Sequence, residues 1–344
     1  MKKKQISAYA KAGVDIDKKM AGISAIKKMA DRTGGKGVLS GIGLFGGMFE
    51  SPGKGMVLVA SADGVGTKLK VAAMAKRHDT VGQDIVNHCV DDILVQGAKP
   101  LFFLDYIGTS VFNSKVFQDV VSGLCKACSE NNCALLGGET AELPGLYPPG
   151  EYDLVGTIVG AVDKKKIITG AGIKPGDVMI GLPSSGLHTN GYSLARKVLF
   201  ETAGLKISDK LPGTVKTVAD ALLAVHRSYL KPVCHVMEKV QIQGMAHITG
   251  GGFQDNIPRV LPNNAVAVVD RNCWKTPPLF QFIQEKGKID RDEMYRVFNM
   301  GIGFILIIRK MDEGKVMSIL GRTDITPVVI GHIEEGKKGV KLIG

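Results

Sequence analysis

The stretch "SADGVGTKLK", residues 61–70, joins a predicted strand to a predicted helix and decides the fold of the first half of the chain. The residues just before it, "MVLVA" at 56–60, are apolar and partly β-branched, which is typical of a buried strand. The residues after the turn favour a helix. Gly64 and Gly66 allow a tight turn between the two elements, so Asp63 is predicted to lie at a strand end.

The same turn places two polar side chains at the start of the helix. Thr67 is predicted to cap it. Lys68 falls in the first turn, where a cation opposes the helix dipole at a cost of about 0.3–1 kcal/mol. Free backbone N–H groups beside a lysine suit a phosphate group. We therefore expect this turn to bind an anion.

The bulk composition indicates a soluble globular chain of two domains. A length of 344 residues suits two domains, predicted at 1–168 and 169–344. The net charge of +11 favours anionic partners. The basic runs are short and lack interleaved aromatic residues, so phosphorylated metabolites are expected rather than nucleic acid.

Neither a membrane span nor a secreted chain is expected. No apolar run approaches the roughly 18–20 residues that a span needs, and the lysine-rich start lacks the apolar region of a signal peptide. We expect a cytoplasmic protein whose six cysteines stay reduced. Cys125 and Cys128, with Cys133 nearby, are interpreted as structural thiols rather than a redox or metal site.

The order of apolar segments predicts an α/β fold, with a connector near residues 165–177. The predicted strands are 56–62, 101–107, 134–137, 154–162, 178–182, 265–270 and 303–308. The predicted helices are 67–76, 81–96, 113–131, 191–202 and 218–237.

Residues 41–47, "GIGLFGG", match the pattern G-x-G-x-x-G. A dinucleotide-binding turn needs a strand before it and a helix after it, and neither flank fits. The further motifs of protein kinases are also missing from the sequence. Two interpretations stay open: an ordinary loop, or a flexible loop that closes over phosphates through Gly41, Gly43, Gly46 and Gly47.

Three carboxylates are candidate ligands of a cation. On the helix at 81–96, Asp92 falls at the edge of the apolar arc, whereas Asp91 falls on the polar face near Asp84 and is predicted to be solvated. A carboxylate at a core edge needs a partner, which a cation, a salt bridge or a helix cap could supply. Glu139 follows a strand and two glycines, as Asp63 does. Asp63, Asp92 and Glu139 together suit Mg²⁺ beside phosphate oxygens.

The second half carries two further glycine-flanked turns. In "SSGLHTNGYSLAR", residues 184–196, His188 has three open roles: phosphate contact, general acid or base, or structure. Asn190 is predicted to cap the next helix. In "HITGGGFQDNIPRVLP", residues 247–262, three glycines precede a helix with Pro258 in its first turn, which suits a phosphorylated substrate.

The ordered set of motifs closely resembles the AIR synthetase family, the phosphoribosylformylglycinamidine cyclo-ligases of purine biosynthesis. The resemblance runs from "AGVDID" at 12–17 to "EMYRVFNMGIGF" at 293–304. It implies an α/β (α+β) fold with an N-terminal domain that forms a β-barrel shared across a homodimer, nucleotide near that interface, and a C-terminal α/β domain. It also implies ATP, Mg²⁺ and formylglycinamidine ribonucleotide, converted to 5-aminoimidazole ribonucleotide, ADP and phosphate.

The resemblance also assigns roles to matching residues. Asp63, Lys68 and His188 are the expected catalytic residues, and Asp63, Asp92 and Glu139 the metal ligands. The residues expected near nucleotide or phosphate are Lys27, Gly41, Gly43, Gly46, Gly47, Gly64, Gly66, Thr67, Asp92 and Glu139. The residues expected near substrate are Asn190, Thr249, Gly250, Gly251, Gly252 and Asn256.

The sequence departs from the family pattern at two pairs, where Asp91–Asp92 replaces Asn-Asp and Asp255–Asn256 replaces Glu-Asn. Other enzymes of the superfamily remain alternatives. A selenophosphate synthetase would want a reactive cysteine near the N-terminus, but the first cysteine is Cys89. A thiamine-phosphate kinase or a non-catalytic nucleotide-binding protein are the further alternatives.

Overall fold

The computed structural model describes residues 7–11, 39, 47–51 and 53–344. Two sheets, one in each half of the chain, form its framework. They are linked by residues 167–177, which contain neither helix nor strand, and the predicted boundary at 168 and 169 falls in this link. The expectations for Lys27, Gly41, Gly43 and Gly46 concern residues outside the described part of the chain.

The first half contains a five-stranded sheet in the order β1-β2-β5-β3-β4, with β3 and β4 parallel and the other pairs antiparallel. Its strands alternate between a buried and a more open face, as β5 shows along its whole length. The strands are β1 (Gly47–Glu50), β2 (Met56–Gly64), β3 (Lys99–Thr109), β4 (Ala134–Glu142) and β5 (Tyr152–Asp163).

Two long helices cover one face of this sheet. The four described helices of this half are α1 (Ala8–Lys11), α2 (Lys68–Ala75), α3 (Asp79–Leu94) and α4 (Ser114–Glu130). Asn113 caps α4, and its side chain accepts from the backbone N–H groups of Lys115 and Val116. Helix α3 is buried along almost its whole length. No helix in the described part of the chain is long and apolar enough to cross a membrane.

The opposite face of the first sheet has no helix packed on it among the described residues. Val155, Thr157 and Val159 of β5 point to this face and are only half buried. Leu104 of β3 is 37% exposed, and Leu136 of β4 is 65% exposed. Among the described residues, this face is therefore a broad, largely apolar surface that no helix covers.

The second half contains a six-stranded sheet in the order β11-β8-β10-β6-β9-β7. β8 and β11 are parallel, and the other neighbours are antiparallel. Every residue of the inner strand β9 is buried. The strands are β6 (Val178–Pro183), β7 (Ile242–His247), β8 (Ala265–Asp270), β9 (Ile302–Ile308), β10 (Val328–Glu335) and β11 (Gly339–Ile343).

The helices of the second half differ from the sequence prediction at two points. The predicted helix 218–237 is wrong in its middle, because residues 223–229 leave the helical path. A second difference is that Pro258 lies in a 3₁₀ turn after α8 rather than in its first turn. The helices are α5 (Tyr192–Arg196, continued by a π-helical turn Lys197–Thr202), α6 (Val218–Leu222), α7 (Leu230–Met237), α8 (Gly252–Asn256), α9 (Pro278–Gly287), α10 (Arg291–Val297) and α11 (Glu313–Leu320).

Helices α3 and α4 touch through two glycines. A Cβ on Gly82 would overlap the carbonyl oxygen of Val120 and lie 2.6 Å from the nitrogen of Leu124. A Cβ on Gly123 would likewise overlap the carbonyl oxygen of Asp79. Because backbone groups cannot rotate out of the way, the depth at which α3 sits is fixed by this contact.

We predict that Gly82→Ala destabilises the protein by about 2–3 kcal/mol, since the added methyl group forces the two helices apart. Gly314→Ala in α11 is the matched control, because nothing lies within 4 Å of its Cβ position and alanine favours a helix over glycine. Urea denaturation of both variants measures the free energy of unfolding. A Gly82→Ala variant as stable as wild type would contradict this packing.

Candidate active site

One face of α3 carries a polar stripe that meets the second half of the molecule. Asp84, Asn87, His88 and Asp91 recur at the spacing of neighbours on one helix face. All four are buried. They face residues 223–229, so this stripe forms the contact between the halves rather than a solvated surface.

Residues 223–229 are not helical, so their backbone N–H and carbonyl groups need other hydrogen-bond partners. Side chains of the stripe supply several of them. The carboxylate of Asp84 accepts from the backbone N–H of His226 at 2.7 Å. The amide of Asn87 donates to the carbonyl oxygen of His226 at 2.7 Å. Asp91 accepts from the backbone N–H of Tyr229 at 2.8 Å. Since buried backbone groups need partners, these side chains stabilise the irregular path.

The prediction that Asp91 is solvated is therefore wrong: its side chain is fully buried. Burial raises the pKa of the Asp91 carboxyl well above its usual range, although the bond from Tyr229 acts in the opposite direction. Its second oxygen lies 3.5 Å from Nε2 of His226. The helical wheel placed Asp91 correctly on the polar face of α3, but a second layer of protein covers that face.

Lys68 forms a buried ion pair with Asp84, with 2.8 Å between Nζ and Oδ2 and both side chains at 0% exposure. Its ammonium also donates to the carbonyl oxygens of His188 at 3.2 Å and Ala224 at 2.8 Å. Burial lowers the pKa of Lys68, and the charge of Asp84 opposes that change. In this arrangement the lysine contacts protein groups of both halves.

Asp63, His88 and Asp92 come together at the end of β2. Nε2 of His88 lies 2.9 Å from Asp63 and 3.6 Å from Asp92. Asp63 is 47% exposed and Asp92 is 7% exposed by side chain. Burial alone would lower the pKa of His88, but Asp63 and Asp92 outweigh it and raise that pKa to about 9. His88 is thus an imidazolium between two carboxylates.

Hydrogen bonds continue from this group into the second half. Nδ1 of His88 lies 2.7 Å from the hydroxyl of Thr189, which lies 3.5 Å from Nδ1 of His226. Nε2 of His226 lies 3.1 Å from Nε2 of His247. Nδ1 of His247 donates to Asp92 at 2.8 Å, so its Nε2 accepts and His226 is the donor of that bond. The series of bonds therefore ends at Asp92, which also lies 3.6 Å from Nε2 of His88.

His188 lies behind this network and is fully buried. Its Nε2 accepts from the backbone N–H of Ser185 at 3.2 Å, and its ring stacks on His226 with centroids 3.9 Å apart. Burial and the neighbouring His247 lower the pKa of His188 well below its usual range. The side chain of His188 is therefore neutral. The residue lies within the turn of residues 184–190, and its backbone adopts φ +61°.

The glycine turn that opens α8 lies beside Asn190. A Cβ on Gly250 would sit 3.1 Å from Oδ1 of Asn190. Gly251 and Gly252 have φ of +95° and +58°, a region that favours glycine. Asn256 is fully buried and holds the turn by donating to the carbonyl oxygens of Thr249, Gly250 and Gly252. The structure thus brings the expected substrate residues Asn190, Thr249, Gly250, Gly251, Gly252 and Asn256 together.

The two predicted helix caps differ in outcome: Thr67 occupies the N-cap position of α2 without a side-chain bond, whereas the predicted cap at Asn190 is wrong. Thr67 precedes α2 but makes no capping bond, and its hydroxyl lies 3.3 Å from that of Ser193. Asn190 does not cap α5, because Gly191 occupies that position, and its amide donates to Thr189. In the opening turn, Gly66 adopts φ +68° as a tight turn requires, while Gly64 is the last residue of β2.

The three candidate metal ligands do not all meet within one chain. Asp63 pairs in register with Gly156, Gly156 with Asp105, and Asp105 with Gly138. Glu139 is therefore three strands away, roughly 14 Å at the usual strand spacing, and points to the other face of the sheet. Asp92 already accepts from Ser61 and His247. Of the three, the half-exposed carboxylate of Asp63 fits a hard cation such as Mg²⁺ best.

Sequence reasoning missed four residues of this site: His88, His226, His247 and Arg259. His88 precedes Asp92 by one helical turn, and His247 ends β7 directly before the glycine turn, so spacing could have identified both. Arg259 is close enough to Asp92, Asp255 and Asp63 for their charges to act on it, although burial lowers its pKa. His226 carries no such signal, since it lies in the stretch predicted as helix.

Family models match both halves of the chain. The N-terminal domain of AIR synthase related proteins matches residues 44–162, and the C-terminal domain matches residues 174–343. The fold and these two domains define an AIR synthase related protein.

Relatives named phosphoribosylformylglycinamidine cyclo-ligase match nearly the whole chain. The protein of Alkaliphilus metalliredigens (strain QYMF) is 46% identical over 97% of each chain. The protein of Cupriavidus pinatubonensis (strain JMP 134 / LMG 1197) is 49% identical over 96% of this chain and 95% of that protein. The chain belongs to the phosphoribosylformylglycinamidine cyclo-ligase family.

Solved structures with the same fold are more distant in sequence. Thiamine-monophosphate kinase from Stenotrophomonas maltophilia K279a aligns with a TM-score of 0.63 at 16% identity, over 91% of this chain and 93% of that chain. The hydrogenase maturation protein HypE in complex with ATP aligns with a TM-score of 0.61 at 17% identity, over 83% and 81%. The α/β fold class is thereby confirmed.

We predict that Lys68→Met costs about 3–5 kcal/mol of stability, because it leaves the buried carboxylate of Asp84 without its counter-charge. The double variant Lys68→Met/Asp84→Asn should recover part of this loss. Lys70→Met is the control, since the Lys70–Glu151 pair is 42% and 34% exposed and should contribute less than about 1 kcal/mol. Urea denaturation gives the free energies, and strictly additive costs of the two single changes would argue against a coupled pair.

Proposed function

We propose that the protein catalyses the ATP-dependent cyclisation of formylglycinamidine ribonucleotide to 5-aminoimidazole ribonucleotide, with release of ADP and phosphate. The observation that carries this proposal is the identity of 46–49% to cyclo-ligases over nearly the whole chain. The protein would act in purine biosynthesis in the cytoplasm.

The chemistry requires activation of a poor leaving group. An amide oxygen does not leave readily, but transfer of the γ-phosphoryl group of ATP to it gives an iminophosphate. A nitrogen of the substrate then attacks the activated carbon, the five-membered ring closes, and phosphate leaves. The work of the protein is to align the phosphoryl transfer and to stabilise the developing charge.

The open end of the site supplies groups for this work. The half-exposed carboxylate of Asp63 would hold Mg²⁺, which when bound neutralises charge on the β- and γ-phosphates. Arg259 and the backbone N–H groups of Gly250 and Gly251 would bind anionic oxygens of the substrates. The N–H of Gly252 already donates to the carbonyl oxygen of Thr249. Asp92, held by Ser61 and His247, would keep His88 and Asp63 in position.

Two expected catalytic residues would act from within the protein. Lys68 lies in the buried pair with Asp84, so its contribution to phosphate binding would depend on a rearrangement of α2 or on the electric field of its charge. His188 accepts a bond from Ser185, so a part in proton transfer would run through neighbouring residues. The turn of residues 184–190 links both residues to Asn190.

The alternative functions receive less support from this chain. A selenophosphate synthetase would use an accessible, reactive cysteine. Cys89 is fully buried, and burial raises the pKa of its thiol well above the usual range, which makes it unreactive. The thiamine-monophosphate kinase and HypE structures share only 16% and 17% identity with the chain.

We further propose a homodimer formed through the uncovered face of the first sheet. A largely apolar sheet face of this kind is typical of a surface that is buried in an assembly. Glu139 lies on this face, so pairing of two sheets would bring it to the interface. This supports the expectation of a shared barrel with nucleotide nearby.

For the reaction, we predict that purified protein releases ADP from Mg-ATP only with formylglycinamidine ribonucleotide, in step with the aminoimidazole product. Asp63→Asn should abolish turnover while the fold survives, because the substitution keeps the shape of the side chain and removes its charge. Asp119→Asn is the control, because Asp119 is a partly exposed carboxylate of α4 that pairs with Lys115 away from the site. ADP without aminoimidazole would indicate a sister enzyme, no ADP would indicate a nucleotide-binding protein, and full activity of Asp63→Asn would remove it from the mechanism.

For the dimer, we predict that wild-type protein sediments at twice the mass of its 36.6 kDa chain and that Val159→Glu sediments as a monomer. Val159 lies in the middle of the uncovered face, between Ala60 and Phe102, where two opposed carboxylates would be buried. Val215→Glu is the control, because Val215 is 93% exposed in the second half. A monomeric wild type, or a dimeric Val159→Glu, would contradict this interface.

A further inference from the structure

Three histidines from three separate elements meet in the contact between the halves. His88 comes from α3, His226 from the irregular stretch 223–229, and His247 from the end of β7. Their exposures are 2%, 0% and 0%. One nitrogen of each ring lies within 4.8 Å of the others. The proposed reaction gives none of the three rings a contact with substrate.

The arrangement of the rings is close to threefold. The ring centroids are 5.2, 5.0 and 5.1 Å apart, and the ring planes cross at 63°, 68° and 68°. Three imidazoles on a tetrahedral zinc ion, each about 2.0–2.1 Å from the metal, have ligand nitrogens roughly 3.3 Å apart. Nε2 of His226 and Nε2 of His247 are 3.1 Å apart. The two nitrogens share a hydrogen bond in this structure and are close enough for both to bind one metal ion.

The outer nitrogen of each ring has a partner in the protein. Nδ1 of His88 and Nδ1 of His226 both lie beside the hydroxyl of Thr189, at 2.7 and 3.5 Å. Nδ1 of His247 donates to the carboxylate of Asp92 at 2.8 Å. Histidines that bind metals show this pattern, in which one ring nitrogen is held by a carboxylate or hydroxyl and the other binds the metal. In this structure the inner nitrogens bond to protein groups: Nε2 of His88 lies 2.9 Å from Asp63, and Nε2 of His226 donates to Nε2 of His247. A metal ion would replace the protons of these bonds.

The charges around the rings also favour a cation. Asp63, Asp91 and Asp92 surround the cluster. Lys68, the buried cation nearby, is already paired with Asp84. The carboxylates of Asp63 and Asp92 already lie against the protonated ring of His88. A divalent ion that takes the place of that proton would keep the buried charge compensated. The half-exposed carboxylate of Asp63 next to His88 marks the side from which an ion can enter.

We propose that His88, His226 and His247 form a binding site for a tetrahedral transition-metal ion, with Zn²⁺ as the expected occupant, that links the two halves of the molecule. Imidazole donors select zinc and similar ions over magnesium. The nitrogen donors distinguish this site from the neighbouring Mg²⁺ site proposed for the nucleotide, whose ligand Asp63 lies 2.9 Å from Nε2 of His88. It does not rest on the proposed reaction, and its test does not use activity.

The test uses full-length, untagged protein freed of metal by chelation. We expect Co²⁺ to bind with one ion per chain and to give the strong visible absorption of tetrahedral cobalt, without a sulfur-to-cobalt band. Zn²⁺ should displace the cobalt and raise the melting temperature, whereas Mg²⁺ should do neither. His226→Asn should weaken Zn²⁺ binding by more than about 100-fold, since even outer partners of metal ligands matter 10–100-fold.

His332→Gln is the matched control, because His332 is exposed on β10 and its Nε2 lies 3.0 Å from the carboxylate of Glu334, away from the cluster. It should bind Zn²⁺ as wild type does. If His226→Asn does not fold, zinc-edge X-ray absorption of the wild type replaces it and should show nitrogen ligands without sulfur. Failure of wild type to bind Co²⁺ or Zn²⁺, sulfur ligation by cysteines, or unchanged affinity in a folded His226→Asn variant would each overturn the proposal.

Discussion

The ion pair between Lys68 and Asp84 is the constraint on which the rest of the site depends. Neither charge is exposed, so each needs the other, and removal of either leaves a charge that water cannot reach. The lysine starts α2, the aspartate lies on α3, and the carbonyl groups of His188 and Ala224 complete the lysine's contacts. Four segments from both halves are thereby held at one point.

The polar network extends outward from that pair in order of increasing exposure. Asp84 and Asp91 are fully buried, Asp92 and His88 nearly so, and Asp63 opens to solvent. Chemistry on a charged substrate requires such a gradient, because the inner groups fix the geometry while the outermost one meets the ligand. The glycine turn and Arg259 lie near the same exposed end. The site therefore has fixed, buried inner groups and a polar end at Asp63 that is open to solvent.

Much of this was predictable from local sequence. The strand and turn around Asp63, the positive φ at Gly66, and the α/β order all follow from apolar runs and glycine placement. The predictions of a solvated Asp91 and of a continuous helix over 218–237 were wrong for the same reason. Both were judged from one segment at a time, whereas Asp91 is buried by residues 223–229 and those residues are held out of the helix by Asp84, Asn87 and Asp91. A tertiary contact between distant segments leaves no periodic pattern in the sequence of either segment. The sequence alone therefore could not identify His226 as a residue of the site.

The irregular stretch 223–229 has a consequence for the molecule as a whole. The N–H and carbonyl groups of His226, the carbonyl of Ala224 and the N–H of Tyr229 are all bonded by side chains of the other half. Cut from its neighbour, the second half would lose these partners at a cost of about 1–3 kcal/mol for each group left buried. The two sheets are thus separate in architecture, but the two halves of the chain fold and unfold together. Helix α3 and the stretch it supports can only be exchanged between relatives as a matched set.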